Sequence, residues 1–300
     1  GDLVTSLEGD VRDLDALSRA VAGAAPEVVF HLAAQALVRP SYADPVATYA
    51  ANVMGTVHLL EAVRRARGVR AVVCVTSDKV YEPRLGPSGY REGEPMGGHD
   101  PYSSSKGCAE LVTSAYRRSF FPPERLAEHG VAVATARAGN VIGGGDWATD
   151  RLVPDLLAAF AAKDTARIRA PDSIRPWQHV LDPLAGYLAL AQRLHAGEAR
   201  AADAWNFGPS DEDARPVCEI AGRLAALWGA GAAWESAAIT GPHEAPWLEL
   251  DASKARARLA WRPRWTLEEA LAETVAWRRA FLEGKDMRDA CRERLGRSGV

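Results

Sequence analysis

The segment AVVCVTSDK at residues 71–79 joins a buried-strand pattern to an abrupt run of polar residues. Two similar apolar, β-branched runs occur at residues 27–34 (EVVFHLAA) and 131–141 (VAVATARAGNV). Continuous apolar strands that alternate with helical segments are typical of a parallel sheet covered by helices on both faces. The sequence therefore predicts an α/β fold with a doubly wound parallel sheet.

Helical patterns fill the intervals between these strands. Residues 13–24 have acidic residues in the first turn and Gly23 near the end. Residues 46–67 contain no proline, place apolar side chains on one stripe and end in a basic cluster before Gly68. Acidic residues at the start and basic residues at the end both favour a helix.

Composition and charge exclude several classes of protein. The chain has 300 residues, of which 47% are hydrophobic, as in an ordinary globular protein. Its formal net charge of −3 does not attract a polyanion, which argues against a nucleic-acid-binding protein. Its 4 cysteines lie far apart without a CxxC pair, which indicates neither a metal site nor a disulfide framework. No apolar run approaches the ~20 residues of a membrane span. We predict a cytoplasmic protein that binds no nucleic acid, membrane or metal.

The residue composition and the lengths of the predicted helices change after residue 142. Three glycines, a stretch rich in proline and tryptophan, and shorter helices follow, which favours a loop-rich second lobe. We predict one domain over residues 1–142 and about 179–207 that binds a dinucleotide. A smaller substrate-binding lobe is predicted over residues 143–178 and about 208–300.

The glycine-rich turn that opens a dinucleotide-binding domain has no counterpart in the sequence. Gly143–Gly145 follows a strand, but its spacing differs from GxGxxG and Asp146 would add a negative charge. Residues 9–13 (GDVRD) instead resemble the end of the third strand of such a domain. We expect the sheet to lack its first βαβ unit, about 50 residues that would precede Gly1.

Tyr102 and Lys106 stand one helical turn apart, in a segment that opens at Pro101. An ammonium beside a phenol favours the phenolate, which makes Tyr102 a candidate base. An ordinary surface tyrosine and lysine would have the same spacing.

Residues 76–79 (TSDK) place a hydroxyl, a carboxyl and an amine where the strand at 71–77 ends. The carboxyl ends of parallel strands face the ligand crevice, so these groups and Tyr102 can share one site. A turn with an N-cap at the end of the strand is the structural alternative.

The motifs together resemble the extended short-chain dehydrogenase/reductase family. They are HLAAQ at 31–35, NVMGT at 52–56, TSDK at 76–79, YxxxK at 102–106 and RAGN at 137–140. A narrower resemblance to sugar-nucleotide 4,6-dehydratases that use CDP-glucose rests on EPMGGHDPY at 94–102, GGGDW at 143–147, DRLVP at 150–154, RPWQHV at 175–180, WNFGP at 205–209 and DASKAR at 251–256. The resemblance covers essentially the whole chain and implies a Rossmann-type sheet.

The resemblance also implies a lyase reaction with transient oxidation. Tyr102, assisted by Lys106 and Ser77, would take the proton of the sugar 4-hydroxyl while NAD accepts a hydride from carbon 4. Elimination of water across carbons 5 and 6 would use Asp78 as the acid and Lys79, in its neutral form, as the base. Related enzymes that act on dTDP-glucose carry a glutamate at the position of Lys79. The alternatives are another sugar-nucleotide epimerase or dehydratase, and a non-catalytic chain that lacks the phosphate-binding turn.

For NAD, the resemblance implies contacts by Asp10, Val11, Leu32, Ala33, Gln35, Asn52, Tyr102 and Lys106. Each of these has a structural alternative: Ala33 can serve close packing, Asn52 can bridge helices, and Asp10 can belong to a turn with Arg12. Without the glycine-rich turn, we expect the chain as written to bind NAD weakly or not at all.

The sugar nucleotide, CDP-glucose or a relative of it, would be held by Asn140, Trp147, Arg151, Arg175, Trp177 and His179. Guanidinium groups bind phosphate oxygens in a bidentate manner, which suits Arg151 and Arg175. Tryptophans are more often core than ligand, and His179 is as readily a structural residue. The resemblance further implies a homodimer formed through helices 46–67 and 101–120, whose apolar stripes could equally pack on the sheet.

Overall fold

The computed structural model of the chain describes residues 4–84, 88–238 and 247–298. The backbone forms two compact units. Unit 1 consists of the described parts of Gly1–Pro83, Glu92–Arg137 and Tyr187–Trp205, and unit 2 of those of Arg84–Arg91, Ala138–Gly186 and Asn206–Val300.

Helices and strands alternate along much of the described chain. The α-helices are α1 (Leu14–Ala24), α2 (Val38–Ala43), α3 (Pro45–Tyr49), α4 (Gly55–Arg65), α5 (Pro101–Ser119), α6 (Leu126–His129), α7 (Leu152–Ala162), α8 (Leu181–His195), α9 (Val217–Trp228), α10 (Ser253–Arg258), α11 (Leu267–Leu282) and α12 (Met287–Ser298). The strands are β1 (Val28–His31), β2 (Ala71–Val75), β3 (Ala132–Ala138), β4 (Val141–Ile142), β5 (Thr165–Ile168), β6 (Ile174–Pro176), β7 (Gln178–His179), β8 (Ala204–Phe207), β9 (Ala214–Pro216) and β10 (Ala233–Ser236).

A four-stranded sheet of order β1-β2-β3-β8 organises unit 1. Strands β1, β2 and β3 are parallel, with His31 opposite Cys74 and Cys74 opposite Thr135. The register brings their carboxyl ends to one edge, where Thr76 N donates to Ala136 O at 2.8 Å. The predicted α/β architecture with a parallel sheet is confirmed.

Helices α1 and α4 and the sheet enclose the core of unit 1. Its buried members are Val21, Leu59, Leu60, Ala62, Val63, Val69, Val72, Cys74, Phe121, Val131 and Val133. Cys74 is fully packed there, and burial raises the pKa of its thiol to about 12. This thiol therefore acts as a small apolar side chain.

The helix predicted over residues 46–67 contains an irregularity. Between α3 and α4 the backbone makes a π-helical turn at Ala50–Met54. Next to this turn, Gly55 packs so closely on Val11 that a Cβ at Gly55 would lie 2.8 Å from Val11 Cγ2. Helical periodicity alone does not reveal such a turn, which is frequent at functional sites.

Unit 2 is built around an apolar cluster rather than a large sheet. Its buried members come mainly from α7, α9 and α11: Ile142, Val153, Leu156, Leu157, Phe160, Ala166, Ile168, Trp177, Val217, Ile220, Ala221, Leu224, Leu267, Ala270, Leu271 and Val275. Within the described part of this unit, two-stranded sheets form between β4 and β7, β5 and β10, and β6 and β9, and β4 and β5 contribute side chains to the cluster.

The unit boundary falls after Arg137, inside β3, whereas the sequence predicts a domain boundary after residue 142. None of the helices in the described residues is long and apolar enough to cross a membrane. Over the same residues, His, Cys, Asp and Glu form no cluster suited to a metal ion.

Candidate functional site

The polar residues that follow β2 form a short, buried turn. Ser77 is extended and begins a 3₁₀ turn over Asp78–Val80, with its Oγ accepting from Lys79 N at 3.2 Å. The same hydroxyl donates to Asp78 Oδ1 at 3.0 Å. Asp78 is 2% exposed and Lys79 is half-buried. The N-cap alternative is thus correct for Ser77, but a cap alone gives no reason to bury the carboxyl of Asp78.

Helix α5 begins beside this turn. Asp100 accepts from Ser103 N at 2.9 Å, and Pro101 occupies the first helical position. Gly98 lies so close to this first turn that a Cβ would be 2.2 Å from Ser103 C. The start of α5 is therefore fixed, and with it the position of Tyr102.

Lys106 lies one turn after Tyr102 and is 7% exposed. Its Nζ donates to Val75 O, the last residue of β2, at 3.0 Å. Burial lowers the pKa of this ammonium to about 8. Because an ammonium has three donors and Val75 O is its one acceptor within the described residues, two donors remain for a ligand.

Tyr102 and Asp78 lie near the same buried phenol, that of Tyr187 on α8. Burial raises the pKa of Tyr187, and electrostatic interaction with the acidic groups of Asp78 and Tyr102 contributes in the same direction. Asp78 and Tyr102 therefore both lie within electrostatic reach of this one phenol. Tyr187 itself was not predicted, because nothing local in its sequence marks it.

Asn52, in the π-helical turn, connects the loop after β1 to α5. Its Oδ1 accepts from Gln35 N at 2.8 Å, and its Nδ2 donates to Gln35 O at 2.9 Å and to Ser105 Oγ at 2.8 Å. Ser105 in turn donates to Tyr102 O at 2.7 Å. Asn52 thus does bridge elements, and the elements it bridges carry predicted cofactor contacts.

A buried ion pair lies behind these groups. Glu110 on α5 accepts from Arg137 Nε and Nη2 at 2.8 Å each, and the two side chains are 2% and 0% exposed. Burial alone would raise the pKa of Glu110, but the hydrogen bonds and charge of Arg137 lower it overall. Sequence reasoning missed this pair, although a carboxylate four residues after Lys106 and an arginine inside an apolar strand were visible signals.

Comparison with known proteins identifies the family. Residues 2–208 match the NAD dependent epimerase/dehydratase family. The chain belongs to this family. Among curated members, it is 55% identical over 286 residues to a CDP-glucose 4,6-dehydratase of Salmonella typhimurium, covering 95% of this chain and 80% of that protein. It is 30% identical to a dTDP-glucose 4,6-dehydratase of Streptomyces griseus, covering 90% of this chain and 76% of that protein.

Solved structures of epimerase/dehydratase family members have the same fold. The dTDP-glucose 4,6-dehydratase DesIV of Streptomyces venezuelae, with NAD bound, aligns with a TM-score of 0.78 and 26% identity, covering 93% of this chain and 80% of that chain. A UDP-glucose 4-epimerase of Thermus thermophilus in complex with NAD aligns with a TM-score of 0.79 and 25% identity, covering 93% and 86%.

The other predicted NAD contacts lie in two places. Asp10 and Val11 precede α1, and Leu32 and Ala33 follow β1. Leu32 is 57% exposed and Ala33 is exposed, directly after the buried His31. Asp10 forms an ion pair with Arg12, which lowers the pKa of Asp10 to about 2 through their hydrogen bonds. Val11 O lies 3.0 Å from His58 Nδ1. The turn formed by Asp10 and Arg12 is thus present, and an exposed apolar surface follows β1.

The predicted nucleotide contacts lie in unit 2. Asn140 adopts a left-handed backbone with φ of 44°, and Arg151 directly precedes α7. Trp147 is 51% exposed, and its ring centroid lies 4.7 Å from that of Phe281. The guanidinium of Arg278 lies 4.2 Å from the centroid of the Trp147 ring, so the indole is partly exposed and already contacts an arginine.

Three further predicted nucleotide contacts are buried in unit 2. Arg175 is 9% exposed and donates to Ile174 O at 2.8 Å. Trp177 is 4% exposed and donates to Arg215 O at 3.0 Å. His179 packs 4.5 Å from Trp265, and burial lowers its pKa to about 4. The Trp177 contact joins the residue between β6 and β7 to Arg215 in β9, which is a structural role for that side chain.

Proposed function

We propose that the protein is a CDP-glucose 4,6-dehydratase that converts CDP-glucose into CDP-4-keto-6-deoxyglucose and water. The observation that carries this proposal is the buried Asp78, followed by Lys79, near the same phenol as Tyr102. An epimerase of this fold needs the tyrosine but has no use for an adjacent acid and base. The 55% identity to a curated CDP-glucose 4,6-dehydratase supports the choice of nucleotide.

NAD is the cofactor of this proposal, and the residues present fit it. The two remaining donors of Lys106 suit the two hydroxyls of a ribose, and the exposed Leu32 gives an apolar surface at the carboxyl end of β1. We assign NAD contacts to Asp10, Val11, Leu32, Ala33, Gln35, Asn52, Tyr102 and Lys106. When bound, NAD takes up a hydride from carbon 4 of the sugar and later delivers it to carbon 6.

Tyr102 is the base for the sugar 4-hydroxyl. Its phenolate accepts the proton as the carbon 4–hydrogen bond breaks, so that carbon 4 becomes a ketone. The Lys106 ammonium, held at Val75 O, favours the phenolate through its charge. Ser77 adds a hydroxyl next to the reacting oxygen.

The ketone makes the hydrogen on carbon 5 acidic, and the next two residues of the turn carry out the elimination. Lys79, as the neutral amine, removes that proton, and Asp78, in its acid form, protonates the hydroxyl on carbon 6. The carbon 6–oxygen bond breaks and water leaves. After hydride delivery to carbon 6, carbon 5 takes back a proton, so no net oxidation occurs.

Unit 1 is the NAD-binding domain in this proposal and unit 2 the sugar-nucleotide-binding lobe. We assign the diphosphate to Arg151 and Arg175, because two guanidinium groups match phosphate oxygens in charge and geometry. Asn140, Trp147, Trp177 and His179 complete the assigned contacts, with the exposed indole of Trp147 as the surface for a planar base.

We infer that the protein works as a homodimer in the cytoplasm, through helices 46–67 and 101–120. Five large apolar side chains in these two ranges are exposed: Val46 (78%), Tyr49 (37%), Met54 (46%), Leu111 (60%) and Phe120 (47%). Burying them in a second copy removes this surface from water. Sedimentation velocity distinguishes the dimer from a monomer.

The product formed in deuterated water tests the proposed function. With CDP-glucose and NAD at a concentration high enough to saturate a weak site, the protein is expected to release water and give a 4-keto-6-deoxy sugar with one deuterium at carbon 5, as read by NMR. An epimerase would instead return a hexose inverted at carbon 4, without deuterium at carbon 5. Binding of CDP-glucose without any turnover would identify a binding protein and overturn the proposal.

A further inference from the structure

We propose that Glu110 and Arg137 are positioning residues for the elimination step: their buried network holds both ends of the segment that carries Asp78 and Lys79. This inference rests on the proposed function and adds two residues to it. The network consists of Glu110, Arg137, Thr76, Thr135 and Tyr81.

Glu110 holds the start of the segment. Its Oε1 accepts from Thr76 Oγ1 at 2.5 Å, and its Oε2 accepts from Thr135 Oγ1 at 2.7 Å. Thr76 immediately precedes Ser77, where the strand ends. One carboxylate thus joins the residue that follows β2 and the middle of β3 to α5.

Arg137 holds the end of the segment. Its Nη1 donates to Tyr81 OH at 2.7 Å and to Glu92 O at 3.1 Å. The guanidinium also lies 5.0 Å from the centroid of the Tyr81 ring. Since Tyr81 immediately follows Val80, residues 77–80 are held at both ends by one ion pair.

Tyr102 is held by a different set of contacts. Its backbone N donates to Ser41 Oγ at 3.1 Å, and its carbonyl accepts from Ser105, which Asn52 contacts. Loss of an Arg137 contact should therefore displace Asp78 and Lys79 more than Tyr102. A displacement of this kind affects elimination more than oxidation at carbon 4, because misplacing a reacting group by about 1 Å can cost 10²-fold in rate.

Two variants test this difference. Tyr81→Phe removes the hydroxyl that accepts from Arg137 and keeps the ring. Arg137→Lys keeps the charge but loses the two-point pairing with Glu110. Tyr116→Phe is the matched control, because Tyr116 lies on α5 and packs on Phe120, away from the network.

Single-turnover rates are measured with two substrates. CDP-glucose undergoes oxidation and elimination, whereas CDP-6-deoxyglucose has no hydroxyl on carbon 6 and undergoes oxidation alone. We expect Tyr81→Phe to slow dehydration about tenfold and Arg137→Lys about 100-fold, with oxidation of CDP-6-deoxyglucose changed less than about twofold. Amide hydrogen exchange of a peptide spanning residues 76–83 is expected to be faster in both variants without any ligand, and Tyr116→Phe should match the wild type.

Equal slowing of both reactions would overturn the proposal and leave the pair a general structural role. Unchanged rates and unchanged exchange would overturn it as well. If Arg137→Lys fails to fold, Tyr81→Phe still decides the question. If the wild-type protein makes no 4-keto-6-deoxy sugar, the proposed function fails, and the exchange of residues 76–83 still decides whether Arg137 orders the segment.

Discussion

Both units contain an apolar core, but unit 1 also buries an ion pair beside a predicted site. Unit 1 buries Lys106, Glu110 and Arg137 at the ends of its parallel strands, next to the predicted reactive groups. The main core of unit 2 is an apolar cluster in which Phe160 and Leu271 are almost fully buried. Burying charged groups is costly unless they are paired, whereas burying apolar groups is the main source of stability.

This difference indicates that the residues responsible for the reaction lie in unit 1, whereas the core of unit 2 mainly contributes to folding stability. Ionisable groups buried in pairs at the edge of a sheet indicate a site where pKa values and positions are set for a reaction. A dense apolar cluster fixes the shape of a lobe and gives it stability. We therefore expect substitutions at the unit 1 site to act on turnover, and substitutions in the unit 2 core to act on the free energy of unfolding.

The largest effect is expected from Tyr102→Phe. Removal of the phenol hydroxyl removes the base, and dehydration of CDP-glucose should fall by about 10³-fold or more, since general bases contribute typically 10²–10⁴-fold. The ring keeps its packing, so the melting temperature should stay close to that of the wild type. The product is quantified by NMR or mass spectrometry.

Tyr116→Phe on the same helix is the control for Tyr102→Phe and should retain full turnover. A Tyr102→Phe variant with the turnover of the wild type would show that Tyr102 is not the base. It would also contradict the expectation that substitutions at the unit 1 site act on turnover.

A smaller effect, on stability alone, is expected from Leu271→Ala in the core of unit 2. Leu271 is 0% exposed, and truncating it should lower the free energy of unfolding by about 3 kcal/mol, within the ~2–5 kcal/mol typical of buried leucines. Urea denaturation measures this change. At a temperature where the variant is fully folded, its turnover per molecule should equal that of the wild type.

Leu282→Ala is the matched control for Leu271→Ala, because Leu282 lies at the end of the same helix and is 52% exposed. Its effect on unfolding should be below about 1 kcal/mol. If both variants unfold equally easily, the apolar cluster is not the source of stability in unit 2.

The sequence predicted those parts of the fold and site that have local signals. The strands at 71–75 and 132–138 follow from β-branched runs, and the start of α5 follows from Pro101. The YxxxK spacing places Tyr102 and Lys106 on one turn because a helix has a fixed period. The common edge formed by the carboxyl ends of the strands follows from parallel topology.

The features that the sequence did not predict depend on distant partners. Glu110 and Arg137 are 27 residues apart, and only the pairing of β2 with β3 beside α5 brings them together. Tyr187 lies near Asp78 through tertiary packing alone. The π-helical turn at Asn52 could not be predicted from the sequence. The spacing of apolar residues indicates which side of a helix is buried, but it does not indicate the hydrogen-bond pattern that defines a π-turn.

The smallest expected effect is on the free energy of unfolding at acidic pH, and it comes from His31. This residue tests whether unit 1 buries neutral ionisable groups as well as paired charges. Burial, together with a smaller effect of the Lys106 charge, lowers the pKa of His31 to about 4. Its Nε2 lies 3.2 Å from Thr56 Oγ1. Since Thr56 already donates to Asn52 O, the ring must donate to Thr56, which fixes the neutral tautomer with hydrogen on Nε2.

The sign of the pH dependence follows from this lowered pKa. Between about pH 6.5 and 4, His31 becomes protonated in the unfolded chain but stays neutral in the folded protein. The free energy of unfolding therefore falls as the pH falls. We expect a loss of about 2 kcal/mol at pH 5 relative to pH 7.5 from this residue. In His31→Gln, the pH dependence of the free energy of unfolding, measured with urea, should decrease by that amount even if the variant is less stable at every pH. An unchanged pH dependence would mean that His31 is protonated equally in both states, and unit 1 would then bury a charge at β1 that none of the contacts above neutralises.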